Sequence, residues 1–157
     1  MDWSVPTGFQ ALIQGTRTLT LTIIIALLSA FFLLASSIKL AGWQRKIFEA
    51  QLAMFESYGL NRQAMFLVGI VELFGAVSIW FQGSGLGSLG AAALLATSVG
   101  AIFCHLIFDS WKDGIPAMIT AALSAFVLWH GWSSIKFGLH VNRKVHLVVP
   151  GRLFRRF

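Results

Sequence analysis

The sequence predicts an all-α protein, a membrane-spanning four-helix bundle with an interfacial amphipathic helix between spans one and two. Of its 157 residues, 57% are hydrophobic and only 11% are charged, and the mean hydropathy is +0.77. Such values are typical of a chain embedded in lipid rather than of a soluble domain. Because lipid offers no partners to free backbone groups, apolar runs that cross it must be helical. We expect one integral membrane domain over residues 1–157, without a separate soluble catalytic module.

Four apolar runs are long enough to cross about 30 Å of hydrocarbon, which takes about 20 helical residues each. They cover about residues 19–40, 64–81, 86–108 and 115–132. The first run is longer than the ~7–15-residue apolar core of a signal peptide, so we expect it to be retained. The single cysteine, Cys104, rules out a disulfide or a C-x-x-C redox pair within the chain.

The connection over residues 41–63 is too long for a simple turn and has its own pattern. Apolar side chains recur there at roughly helical spacing, with polar side chains between them: Trp43, Ile47, Phe48, Met54, Phe55 and Tyr58. This pattern predicts an amphipathic helix in the membrane plane that ends near Gly59, with Asn61 placed to cap the second span. Two interpretations are open: a lid over the bundle, or a link that only joins two spans.

Lysine and arginine are divided unevenly between the two sides of the membrane. The side with both termini has Arg17 and a basic tail over residues 133–157, and the other side has Arg45, Lys46, Arg62 and Lys112. The positive-inside rule therefore favours a bacterial inner (plasma) membrane protein with both termini in the cytoplasm. We expect the tail to meet anionic membrane lipid or to dock a protein partner. Nucleic acid is not expected as a partner, because most of the chain is embedded.

Three ionisable residues, Lys39, Glu72 and His105, lie in three different apolar runs. A charge at membrane depth costs roughly 3 kcal/mol on insertion scales, so three of them on three spans are expected to meet inside the bundle. Since the helices alternate in direction, all three lie toward one membrane face. At 1.5 Å per residue, His105 is about 6 Å and Glu72 about 12 Å inside its helix end. We predict one polar layer just beneath the amphipathic helix.

Small residues on the same faces permit close approach. Glu72 has Gly69, Gly75 and Ala76 on its side of span two, and small side chains let helix backbones pack closely.

Other polar residues extend the predicted cluster. Ser36 shares a face of span one with Lys39. Asp109 follows His105 at i+4 and is the candidate partner that orients the imidazole. Asp113 is expected instead to cap span four.

A carboxylate, an imidazole and an ammonium can relay protons, anchor a polar head group, or donate hydrogen bonds to a carbonyl such as that of a quinone. They can equally form a neutralising network that fixes helix order without any turnover. Both interpretations are open. No metal site is expected, because the Lys39 cation opposes one and no H-E-x-x-H pattern occurs. We expect no resident cofactor, with a quinone as the one candidate.

The order of the motifs resembles the DoxX-like family of small four-helix bacterial membrane proteins over about residues 18–132. The matching segments are ASSIKL at 35–40, YGL at 58–60, VELFGA at 71–76, an alanine-rich run reaching His105, and the Pro116-Ala117 entry to span four. The resemblance implies a four-helix bundle with Lys39, Glu72 and His105 as its polar positions. Members are linked to thiosulfate:quinone oxidoreductase, to complexes with redox or thiol-handling partners and, in animal relatives, to receptor assembly.

These observations lead to two functional hypotheses. The first is a small inner-membrane accessory protein, not a stand-alone enzyme, that binds a quinone- or lipid-like ligand and supports a membrane redox system. The second is a non-catalytic scaffold or assembly subunit of a larger membrane complex, with a protein partner or a second copy of itself. Proton-coupled transport is disfavoured, since no inverted repeat or broken helix is visible in the sequence.

Overall fold

The computed structural model describes the backbone of residues 7–148 and the side chains of nearly all residues up to 132. Within that range the chain is all-helical, which confirms the predicted fold class. It forms α1 (Thr7–Ala41), α2 (Arg45–Ser57), α3 (Arg62–Ser78), α4 (Gly85–Phe108) and α5 (Ile115–Val148). The side chains of the predicted basic tail lie outside the described residues.

Three helices are long and apolar enough to cross a membrane, over Leu12–Ala41, Gly85–Phe108 and Ile115–Trp132. The fourth, α3, has 17 residues and reaches the required length only when it is taken together with α2. The two helices are bent by 114° at their junction, so α2 lies across the end of α3 instead of extending it. This is the geometry expected of an interfacial helix, and α3 at 1.5 Å per residue is about 25 Å long.

Three helix ends differ from the predicted spans, and the first is the start of α1 at Thr7 instead of residue 19. Span two was expected to reach residue 81, but α3 ends at Ser78 and the chain then turns through residues 79–84. Trp80 in this turn donates a hydrogen bond from Nε1 to Ser29 Oγ at 2.9 Å. At the other end, α5 does not stop near residue 132 but continues as a helix to Val148. Asn61 caps α3 as expected, accepting a hydrogen bond from the Ala64 amide at 3.0 Å.

The helices pack in a ring, with α1 against α3, α3 against α4, α4 against α5, and a smaller interface between α5 and α1. Short connections at 79–84 and 109–114 make α3, α4 and α5 antiparallel neighbours. Polar side chains join adjacent helices inside the ring. Ser29 donates to the Ala76 carbonyl at 2.8 Å, and the hydroxyls of Ser98 and Thr120 lie 2.9 Å apart. In membrane bundles such bonds contribute about 0.6 kcal/mol each.

The hydrophobic core fills the half of the bundle that is distant from α2. Its buried members come from all four bundle helices: Ile25, Leu28, Phe32, Ala76, Ile79, Ala91, Leu94 and Val127. Since α2 lies over the ends of α1 and α3 near Lys39 and Arg62, the core is separated from α2 by the middle of the bundle. That middle layer contains the candidate site.

Glycines let α3 and α4 approach closely in the packed half. A Cβ on Gly90 would lie 2.8 Å from the backbone nitrogen of Ile79 and 2.7 Å from Ser78 Cβ. A Cβ on Gly100, nearly three turns further along the same helix, would meet nothing within 4 Å. The two helices are therefore in backbone contact at Gly90, whereas Gly100 is exposed and makes no such contact.

This contrast predicts different effects for two alanine substitutions in α4. Gly90→Ala is expected to lower the free energy of unfolding by about 1–3 kcal/mol, because the contacting backbone of α3 must shift. Gly100→Ala has free space and a better helix former, so we expect no loss and a gain of up to about 1 kcal/mol. Reversible unfolding in detergent measures both. Equal destabilisation by the two substitutions would contradict the described packing.

Candidate functional site

The centre of the site is an ion pair between α1 and α3. Lys39 Nζ lies 2.9 Å from Oε1 and 2.7 Å from Oε2 of Glu72, and the two residues are only 8% and 6% exposed. Lys39 is in the last turn of α1, and its stem passes Gly69, where a Cβ would lie 3.1 Å from Lys39 Cβ. The missing side chain at Gly69 therefore lets Lys39 reach Glu72. The pair cancels two charges that lipid would not tolerate singly.

A second polar group joins the end of α2 to the end of α4. Tyr58 follows α2 and donates a hydrogen bond from its hydroxyl to Asp109 Oδ2, which also lies 2.8 Å from His105 Nδ1. The Tyr58 hydroxyl is 3.1 Å from the same imidazole nitrogen. The Tyr58 ring is buried and stacks on Phe108 with 5.2 Å between ring centroids. These contacts fix the position of the imidazole.

The hydrogen bonds of this group assign its protons. Asp109 accepts from both neighbours, so His105 carries its proton on Nδ1 and, when neutral, leaves Nε2 as an acceptor. Bonds from Tyr58 and then His105 hold the pKa of Asp109 below its ordinary value. Burial and the Asp109 carboxylate raise the pKa of Tyr58 well above its ordinary value, so Tyr58 stays a donor. The group therefore offers an acceptor nitrogen backed by a carboxylate.

Both polar groups face one cavity beneath α2. The cavity has a volume of about 430 Å³ and is lined by Lys39, Glu72 and His105, by Tyr58, and by apolar or small side chains such as Val68, Met54 and Ala101. A smaller cavity of about 230 Å³ shares Lys39, Glu72 and His105 and extends toward α5, where Thr120 and Pro116 line it. We call the larger space the site cavity.

The sequence therefore located three residues that do line one space, and it identified Asp109 as the partner of His105. Ser36, expected in the same cluster, is fully buried but bonds to the Leu33 carbonyl of its own helix at 3.1 Å and lines neither cavity. Its hydroxyl is satisfied locally, as serines in helices commonly are. Asp113, expected to cap span four, accepts a hydrogen bond from the Ser110 amide at 3.2 Å in the preceding turn.

Two polar lining residues of the α2 segment, Tyr58 and Gln51, were not recognised as site residues from the sequence. Tyr58 looked like one more apolar position of an amphipathic helix, although a tyrosine on such a face carries a polar tip. Gln51 was not singled out from the sequence, yet it lines both cavities. Its Oε1 is buried without a hydrogen-bond partner. The signal in the sequence was a polar residue at helical spacing among the apolar positions of an amphipathic helix.

Arg62 and two glycines hold α2 over the site cavity. The Arg62 guanidinium lies 4.9 Å from the centre of the Phe48 ring on α2, and its Nη2 bonds to the Leu40 carbonyl of α1 at 3.4 Å. Gly42 and Gly59 flank α2 with φ values of 64° and 75°. A left-handed backbone costs other residues roughly 1–2 kcal/mol, so glycine suits both turns. These contacts join α2 to the ends of α1 and α3.

Within residues 7–132, no three His, Cys, Asp or Glu side chains lie close enough together to hold a metal ion.

These features define a helical membrane protein with a polar-walled internal cavity beneath an interfacial helix. A family model described as the DoxX-like family matches residues 23–127, more than half of the chain. The chain belongs to the DoxX-like family, which confirms the resemblance seen in the sequence. The matched region includes Lys39, Glu72, His105 and Asp109. No curated protein and no solved structure matches the chain significantly.

The buried pair predicts a large effect for removing one charge. Glu72→Gln is expected to lower the free energy of unfolding by about 3 kcal/mol, because Lys39 is left buried without a counter-charge. The matched control is Glu49→Gln, which breaks an exposed i,i+4 pair with Arg45 and is expected to cost less than about 1 kcal/mol. The double variant Lys39→Met with Glu72→Leu should recover most of the loss. Equal costs for Glu72→Gln and Glu49→Gln in detergent unfolding would refute the pair.

The lowered pKa of Asp109 predicts a pH-dependent contribution to stability. A depressed carboxyl pKa stabilises the fold above its unfolded value, about 4, and the contribution is lost as the pH falls through the folded value. The Tm of Asp109→Asn should therefore lie below that of the wild type at pH 7, and the difference should shrink below about pH 4. Glu56→Gln, an exposed change on α2, should show little difference at either pH. A gap for Asp109→Asn that does not change with pH would contradict the assignment.

Proposed function

We propose that this DoxX-like protein is a small membrane accessory protein that binds an apolar ligand with a polar head, quinone-like or lipid-like, in the site cavity. In this proposal it supports a membrane redox system rather than acting as a stand-alone enzyme. The observation that carries the proposal is the site cavity itself, with the Lys39–Glu72 ion pair and His105 in its wall. Polar groups held at membrane depth are generally functional.

The shape and lining of the cavity support a ligand of this kind. Its volume of about 430 Å³ lies within the range of small-molecule sites, about 300–1,000 Å³. Most of its wall is apolar, and the few polar groups are concentrated near α2, where Tyr58 and His105 lie. An amphiphile could place its tail against the apolar wall and its head against these groups.

The membrane setting of the proposal follows from the charge distribution. With both termini in the cytoplasm of a bacterium, α2 and the site cavity would lie at the non-cytoplasmic face of the plasma membrane. The link to redox chemistry rests on what the family resemblance implies. A protein partner or a second copy would complete such a system.

The proposal is tested by ligand retention. Wild-type protein extracted mildly from its native membrane is expected to retain a quinone or lipid that survives detergent exchange and is quantified by mass spectrometry. His105→Ala should retain at least about tenfold less, equivalent to a loss of about 1.4 kcal/mol of binding free energy. The matched control His130→Ala changes a histidine on α5 outside the lining residues and should retain the wild-type amount. Equal retention by all three folded proteins would refute the proposed site.

A further inference from the structure

The wall of the site cavity has an opening on the side of α4. Ala96 and Gly100 line the cavity and are also exposed on the outer surface of the bundle, one helical turn apart. Val68 of α3 lines the opposite side. Gly100 is eight residues from the end of α4 at Phe108, which places it about 12 Å inside the helix end. The opening is therefore at the depth of lipid tails and not at the aqueous surface.

The packing of α3 against α4 explains why the opening exists. The two helices touch through Gly75 and Gly90, where a Cβ on either glycine would lie within 2.9 Å of the other helix. At Gly100 a Cβ would meet no atom within 4 Å. The helices are in contact in the packed half of the bundle, whereas further along α4 residues of both helices line the site cavity, which lies between them.

The groups that face the cavity restrict the charge of a ligand head. An anionic head would meet the carboxylate of Glu72, and a cationic head would meet the ammonium of Lys39. The ion pair already neutralises its own two charges, so an uncharged head meets no unbalanced partner.

The same groups favour a head that donates hydrogen bonds. Gln51 Oε1 is buried with no partner, and His105 Nε2 is an acceptor when Nδ1 bonds to Asp109. A buried acceptor without a donor costs about 1–3 kcal/mol. A hydroxyl on the ligand head would supply the missing donor.

We infer that the site cavity takes its ligand sideways from the bilayer, through the opening between α3 and α4 at Gly100, and that the ligand is an uncharged amphiphile with a hydroxyl-bearing head. The inference rests on the proposed function and specifies its ligand class and route of entry. The apolar tail passes Ala96 and Gly100, and the head lies near Gln51 and His105 beneath α2.

Cys104 provides a reporter for the opening, since it lines the site cavity one turn beyond Gly100 and is the only cysteine of the chain. In native membrane vesicles, the bilayer-soluble probe N-dodecylmaleimide should alkylate Cys104 at least about tenfold faster than a doubly sulfonated maleimide confined to water. Gly100→Phe, which places a ring in the opening, should slow alkylation by N-dodecylmaleimide about tenfold. The matched control Gly100→Ala should stay within about twofold of the wild type.

Ala96→Phe is a second blocking variant and serves if Gly100→Phe does not fold in detergent. The lateral route is overturned if N-dodecylmaleimide does not label the wild type, if the two probes react at equal rates, or if folded blocking variants react like the wild type. A second copy covering this face would give the first of these results.

Protection of Cys104 tests the head chemistry. Dodecanol should slow alkylation of the wild type several-fold, whereas dodecyl phosphate and dodecyltrimethylammonium should not. Protection by either charged probe, or no protection by dodecanol, overturns the uncharged head.

These labelling results can be distinguished from a failure of the proposed function. Faster labelling by N-dodecylmaleimide, together with equal ligand retention by the wild type and His105→Ala, would support the lateral opening and contradict the proposed function. Ligand retention that depends on His105, without labelling of Cys104 by N-dodecylmaleimide, would support the proposed function and contradict the lateral opening.

Discussion

The rest of the structure depends on one interaction in the interior of the bundle, the ion pair of Lys39 and Glu72. Each charge alone would be costly at this depth, and together they join the end of α1 to the middle of α3. Because only residues 42–44 separate the end of α1 from the start of α2, fixing Lys39 also fixes where α2 starts. Arg62 then holds α2 from the side of α3 through the Phe48 ring. The interfacial helix is in this way placed over the cavity that the pair lines.

One half of the bundle is closely packed and the other contains the site cavity, and glycines contribute to both arrangements. Gly75 and Gly90 permit backbone contact between α3 and α4 next to the hydrophobic core. Gly100 leaves space beside the site cavity instead of filling it. Close packing supplies the stability that a bundle with an internal cavity would otherwise lack, since voids remove contacts from the residues that surround them. A candidate ligand site at one end is thus compatible with a defined fold at the other.

The sequence predicted the helical fold because long apolar runs in lipid permit little else, and it predicted Lys39, Glu72 and His105 because charges in such runs are conspicuous. Helix ends were less accessible. The end of α3 at Ser78 depends on a turn that packs against α1 through Trp80, a tertiary contact with no local signal. Tyr58 and Gln51 escaped notice for a similar reason. Both lie on an amphipathic segment, and only the 114° bend between α2 and α3 shows which of its side chains turn inward.

Tyr58 has a consequence for how the protein responds to its surroundings. The residue directly follows α2, the helix above the cavity, and its hydroxyl is bound to Asp109 at the end of α4. Movement of α2 away from α4 at this point would require the phenol to give up its acceptor. Protonation of the Asp109 carboxylate would weaken this bond, so proton activity at the membrane surface would act on the contact between the two elements.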